Sequence, residues 1–183
     1  MNNELQFGIQ TNGIKHTHLD PMPDIDHRFS MVKEAKVFDY VDKTPEQDEI
    51  ISFLKAKDKY QIPIKAGGWF YTIGEHKSLL KKNLLTAQNL GSTVHNTQIQ
   101  AINSEGNLVT NLEVRDVYLE AYDMGLKLGV TPCFEVHVNM WSEDFLRVNE
   151  VGNLVEEKGV EFNITLDHSH VIFKINNPKE QKI

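Results

Sequence analysis

The strongest constraint on this chain is a repeated junction at which an amphipathic stretch ends on glycine and a β-branched run follows. Leu90-Gly91, Leu128-Gly129 and Lys158-Gly159 each put glycine where a helix C-cap takes a positive φ. Between these junctions the pattern alternates. Short runs at Phe7 to Gln10, Val37 to Val41, Ile62 to Ala66, Ser92 to Ile99, Val130 to Val138 and Val160 to Leu166 read as strands. The longer stretches read as helices, from near Asp26 to Ala35, from Thr44, from Glu75 to Leu90, after Thr110, and from Ser142 to about Glu157. Thr44-Pro45-Glu46-Gln47 and Thr110-Asn111-Leu112-Glu113 fit capping boxes, with the threonine as N-cap. Ile50, Ile51 and Leu54 form an apolar stripe on the first of these two helices. Val114, Val117, Tyr118, Ala121, Gly125 and Leu128 form one on the second. A βα unit of roughly 30 residues, repeated about six times, specifies parallel strands with helices packed outside them.

No linker or low-complexity stretch divides residues 1–183, so a single α/β domain is expected. Two architectures fit, an open doubly wound sheet and a closed barrel. The open nucleotide-binding form carries a glycine-rich turn after its first strand. Here that turn is Thr11-Asn12-Gly13-Ile14, and no G-x-G-x-x-G or G-x-x-x-x-G-K-[ST] occurs. Polar residues gather instead at the C-terminal ends of several strands, where βα barrels place their chemistry. The net charge of −7, with no run of Lys or Arg, argues against a general nucleic-acid binder. Cys133 is the only cysteine, so no intrachain disulfide forms. With no spanning apolar run and no secretory leader, the expectation is a cytoplasmic protein that does not engage a membrane.

The richest strand end is Phe134-Glu135-Val136-His137-Val138-Asn139. Alternation puts Glu135, His137 and Asn139 on one face. A carboxylate and an imidazole on an apolar strand are costly to bury unpaired. They are either a hydrogen-bonded core pair or a metal ligand and catalytic base. Leu166-Asp167-His168-Ser169-His170 offers one carboxylate and two imidazoles, suited to Mn, Mg, Zn or Co, or else to a solvated loop. In a barrel the two ends are neighbours, and Glu135 and Asp167 can share one ion. His95 is a core histidine or a site residue. Trp69-Phe70-Tyr71 and Trp141 pack in the core or wall a pocket. His16, His18, Asp39 and Asp42 read as loop, solvated or capping residues, and Cys133 as packing.

With these residues in place, the chain resembles the xylose isomerase-like TIM barrels, a superfamily of sugar phosphate isomerase/epimerases, ketose 3-epimerases and endonuclease IV. The segments FGIQTNG, STVHNT, CFEVHVN and TLDHSH carry the resemblance, the last as a D-x-x-H after strand six. The resemblance implies a divalent-metal-dependent isomerase or epimerase. It would move a proton next to the carbonyl of a small sugar-like substrate. Glu135 matches a metal ligand that is also an acid/base carboxylate, Asp167 a metal ligand, and His170 a substrate-contacting histidine that binds metal in the nuclease. His95 resembles a metal histidine of the nuclease, and His137 has no firm counterpart in the family; His95, His137 and Trp69 are assigned to substrate binding. The departures are Val136, where the epimerases carry proline, and length. A complete barrel has eight strands and about 250 residues. The strand-seven histidine and strand-eight glutamate of the family would fall past Ile183. The expectation is therefore a barrel with about six of eight units, which self-associates or takes a partner to close, and which lacks the second acid/base carboxylate. An endonuclease IV-like phosphodiesterase and a non-catalytic barrel fragment are the alternatives.

Overall fold

In the computed structural model, residues 5–11 and 23–170 are described. The strands are β1 (Gly8–Gln10), β2 (Tyr40–Asp42), β3 (Ile64–Ala66), β4 (Gly68–Tyr71), β5 (Val94–Ile99), β6 (Thr131–Val136) and β7 (Ile164–Leu166). The helices are α1 (Ile25–Ala35), α2 (Ile50–Tyr60), α3 (His76–Leu90), α4 (Asn111–Leu128) and α5 (Phe145–Glu156), with a 3₁₀ turn at Trp141–Glu143. All strand pairings are parallel, in the orders β1-β2-β3 and β4-β5-β6-β7. The two sheets are one arc. The Lys65 carbonyl accepts from Thr93 N–H at 3.2 Å, the Ala66 carbonyl from Lys43 N–H at 3.0 Å, and the Gly67 carbonyl from Asn96 N–H at 2.7 Å. β3 and β4 thus act as a single strand, and the expected six-strand α/β arc is present. Among the described residues β1 and β7 do not pair with each other, so the sheet is open.

Gly67 allows the join between β3 and β4. A Cβ there would lie 2.4 Å from Thr44 Oγ1, so the chain after β2 can cross this strand only where the side chain is missing. That close approach corrects the reading of Thr44 as a helix cap. Thr44 is buried against Gly67, and α2 starts six residues after the expected N-cap, at Ile50. Its buried face turns accordingly. Phe53 and Ala56 are buried, whereas Ile51 is exposed. The second box forms as expected. Thr110 Oγ1 accepts from Glu113 N–H at 3.2 Å and the Glu113 carboxylate accepts from Thr110 N–H at 2.7 Å. Gly91 and Gly129 close α3 and α4 in the left-handed region, at φ 80° and 67°. Gly159 adopts φ 75°, two residues beyond the C-cap of α5.

The core lies between the arc and its helices, in two parts. Phe29, Val32, Phe53 and Ala56 pack on Val41 and Ile64. Leu80, Leu84, Val114, Val117, Tyr118, Val151 and Val155 pack on Tyr71, Ile99 and Phe134. With the outward-facing positions used for packing, the inward face of each strand is left to line an interior.

Candidate functional site

The C-terminal strand ends enclose an open cavity of about 300 Å³. Gln10, Asp42, Phe70, Asn96, Gln98, Glu135, His137, Asp167 and His170 contribute to its wall, so nearly every strand of the arc supplies a residue. Strand parity explains the choice. On β6, Glu135 faces inward, while Phe134 is buried in the core under the helices and Val136 is buried as well. On β5, Asn96 and Gln98 face inward, and His95, Thr97 and Ile99 are buried.

Glu135 is held by Gln98 Nε2, which donates to Oε2 at 2.6 Å. Burial pushes its carboxyl above the usual carboxylate range. The Gln98 hydrogen bond works against that, and the negative charges of Asp167 and Asp42 add to it. His137 continues the same face just past the strand end. Ser142 fixes this corner: its hydroxyl donates to the Glu135 carbonyl at 2.5 Å and accepts from His137 N–H at 3.1 Å. Ser142 therefore staples β6 and does not cap the next helix. Asp144 caps α5 instead, accepting from Leu146 N–H at 2.9 Å.

Asp167 caps the helical turn that starts at His168, accepting from Ser169 N–H at 2.8 Å and Ser169 Oγ at 2.6 Å. Burial raises its carboxyl, but the hydrogen bonds from Ser169 and His170 outweigh that, and its net position is below the usual range. The turn brings His170 over the cavity, with Nε2 3.5 Å from Asp167 Oδ2. The His170 and His137 rings lie 3.7 Å apart, centroid to centroid. Ligand atoms of Glu135, His137 and His170 all lie within 4.8 Å of one another.

Four of the expected site residues, Glu135, His137, Asp167 and His170, thus share one cavity. Two others do not reach it. His95 is 0% exposed and points toward α3, where its Nε2 is 2.7 Å from Tyr71 Oη, which also accepts from Asn83 Nδ2 at 2.9 Å. Burial lowers its pKa to about 4, so it is neutral at physiological pH. Trp69 packs against the outer core, and the aromatic ring in the cavity wall is that of Phe70. The placement of Trp69 follows from β4 continuing through Gly68, which sets the parity of the three aromatics. Asp42, taken as a solvated or capping residue, lines the cavity. Burial pushes its carboxyl up, against a hydrogen bond from Gln10. Its signal was its place at the C-terminal end of a strand. His16 and His18 lie outside the described residues.

No family model and no curated protein matches the sequence. Solved structures do match the fold. D-allulose 3-epimerase from Methylomonas sp., in complex with D-allulose, superposes with a TM-score of 0.72 at 12% identity, over 94% of this chain and 66% of that one. The IOLI protein with a binding zinc atom gives 0.70 at 14% identity, over 97% and 69%. A xylose isomerase domain containing protein from Salmonella typhimurium gives 0.71 at 16% identity, over 96% and 65%. Over the length it shares with them, this chain has the fold of these α/β barrels. This chain spans about two thirds of the length of those barrels. No helix among the described residues is long and apolar enough to cross a membrane.

Proposed function

We propose that this chain carries catalytic residues of a divalent-metal-dependent isomerase or epimerase acting on a small sugar-like hydroxy-carbonyl compound. The observation that carries the proposal is the placement of Glu135: a carboxylate oriented by Gln98 and set at a barrel mouth beside Asp167 and two imidazoles. The donor set suits a cation such as Mn, Mg, Co or Zn. Glu135 and Asp167 supply negative charge, and His170 Nδ1 is buried without a hydrogen-bond partner among the described residues. When bound, the cation polarises the substrate's carbonyl and hydroxyl oxygens and stabilises enediolate charge. Glu135 takes the proton and returns it, and Gln98 holds the carboxyl in position. The fold neighbours named above include an epimerase in complex with its sugar and a barrel with bound zinc, which fits this chemistry.

A phosphodiesterase of the endonuclease IV kind fits less well. His95 faces away from the cavity, and the chain is net acidic at −7. The test is proton exchange. Ketohexoses and keto-glycosides incubated with the protein and Mn²⁺ or Co²⁺ in D₂O are expected to gain deuterium at the carbon next to the carbonyl, and Glu135→Gln to abolish the gain. Absence of exchange across that panel, in cation-loaded protein, would overturn the proposal.

A further inference from the structure

We infer that the cation of this cavity is ligated by nitrogen as well as oxygen. His137 and His170 join Glu135 in a two-imidazole, one-carboxylate set that selects zinc or cobalt(II) over magnesium. This rests on the cavity being a cation site, and it goes beyond the two carboxylates by assigning His137 and the class of metal.

His137 is prepared as a ligand by its surroundings. Its Nδ1 is 2.7 Å from the Val138 carbonyl. A carbonyl only accepts, so Nδ1 carries the proton, and in the neutral ring Nε2 holds the lone pair. This is the arrangement in which the second ring nitrogen of a metal-bound histidine is anchored. The ring is fixed further by the Phe70 ring, set edge-on with the centroids 5.9 Å apart, and by the His170 ring, with the centroids 3.7 Å apart. Its backbone is pinned by Ser142. His170 shows the complementary sign: Nδ1 is buried and unpartnered among the described residues, while Asp167 stands 3.5 Å from Nε2 on the other side of the ring. Glu135 keeps Oε2 on Gln98, which leaves Oε1 for an ion.

One ligand atom from each of the three side chains lies within 4.8 Å of the other two. Donors on a tetrahedral zinc are separated by roughly 3.4 Å, so small side-chain rotations close the set. Imidazole favours zinc-like metals, whereas magnesium favours oxygen alone. Three protein ligands leave coordination positions open toward the cavity of about 300 Å³, as a catalytic rather than structural site requires.

The experiment is calorimetric titration of the full chain with Zn²⁺ and with Mg²⁺, alongside His137→Gln and Asp167→Asn, each checked for folding by circular dichroism. Zinc is expected to bind one per chain, far more tightly than magnesium, and His137→Gln to weaken it by roughly tenfold or more. In the Co²⁺-loaded wild type, proton NMR is expected to show paramagnetically shifted, exchangeable imidazole N–H signals, a readout that needs no variant. Zinc binding unchanged in His137→Gln, or no shifted imidazole signal, overturns the nitrogen set. If Asp167→Asn still weakens binding in that case, the carboxylate site of the proposed function stands. If neither metal binds, both fall together.

Discussion

His95 shows how one side chain sets a pH dependence. It is buried and neutral, with its pKa lowered to about 4 from the ordinary 6.5. The unfolded chain takes up a proton below pH 6.5, and the folded chain does so only near 4. Stability from this residue is therefore fully present above 6.5 and is lost as pH falls between 6.5 and 4. Urea unfolding of the wild type and His95→Gln is expected to show a difference in stability that shrinks by about 2 kcal/mol from pH 7 to pH 5. A difference independent of pH would contradict the buried neutral state. Ser142 is the other decisive single residue. Ser142→Ala removes two hydrogen bonds at the end of β6 and is expected to cost about 1–2 kcal/mol. Because the same hydroxyl fixes the backbone carrying Glu135 and His137, cation affinity should fall with stability. Calorimetry in parallel with thermal melting checks this.

At the scale of elements, helix ends and close crossings decide where the site sits. Thr110→Ala breaks the capping box of α4 and is expected to cost about 1 kcal/mol in thermal or urea unfolding. Gly125→Ala should cost more, about 2 kcal/mol, despite alanine's better helix propensity, because a Cβ there would lie 2.1 Å from the Val130 carbonyl. A stabilised Gly125→Ala would show that the helix has room to move. Elements of this kind were legible in sequence because their signals are local. Glycine at Gly91 and Gly129, the box at Thr110, and the spacing from Val114 to Gly125 are carried by neighbouring residues alone. Thr44 failed because a close approach from Gly67, far along the chain, claims its side chain. Trp69 and His95, each open between core and site in the sequence, both pack away from the cavity. Which face a strand residue takes depends on where the strand starts and stops, and β4 runs on through a Gly-Gly pair that reads as an end. That Glu135, His137, Asp167 and His170 would line one cavity was legible because they sit at or just past strand ends, where parity and topology agree. Asp42 sits at such an end too, but a lone aspartate there also fits an ordinary cap.

For the whole molecule, the governing feature is an open arc of six parallel strands with a polar mouth. β1 and β7 each have one hydrogen-bonded neighbour among the described residues, and Ile164 and Leu166 on β7 are both 45% exposed. Open parallel edges invite pairing with another chain. Sedimentation of the purified chain is expected to show concentration-dependent association, and a monodisperse monomer would contradict that. The same arc gathers residues from β1 to the turn after β7 around one cavity, and the account depends on that convergence. It is tested most directly by crystallography of the zinc-loaded chain, with anomalous scattering recorded on either side of the zinc absorption edge. The expected result is one strong anomalous peak in the cavity, within bonding distance of the Glu135 carboxylate and facing the rings of His137 and His170. A cavity without a peak, or zinc bound only elsewhere on the surface, would contradict it.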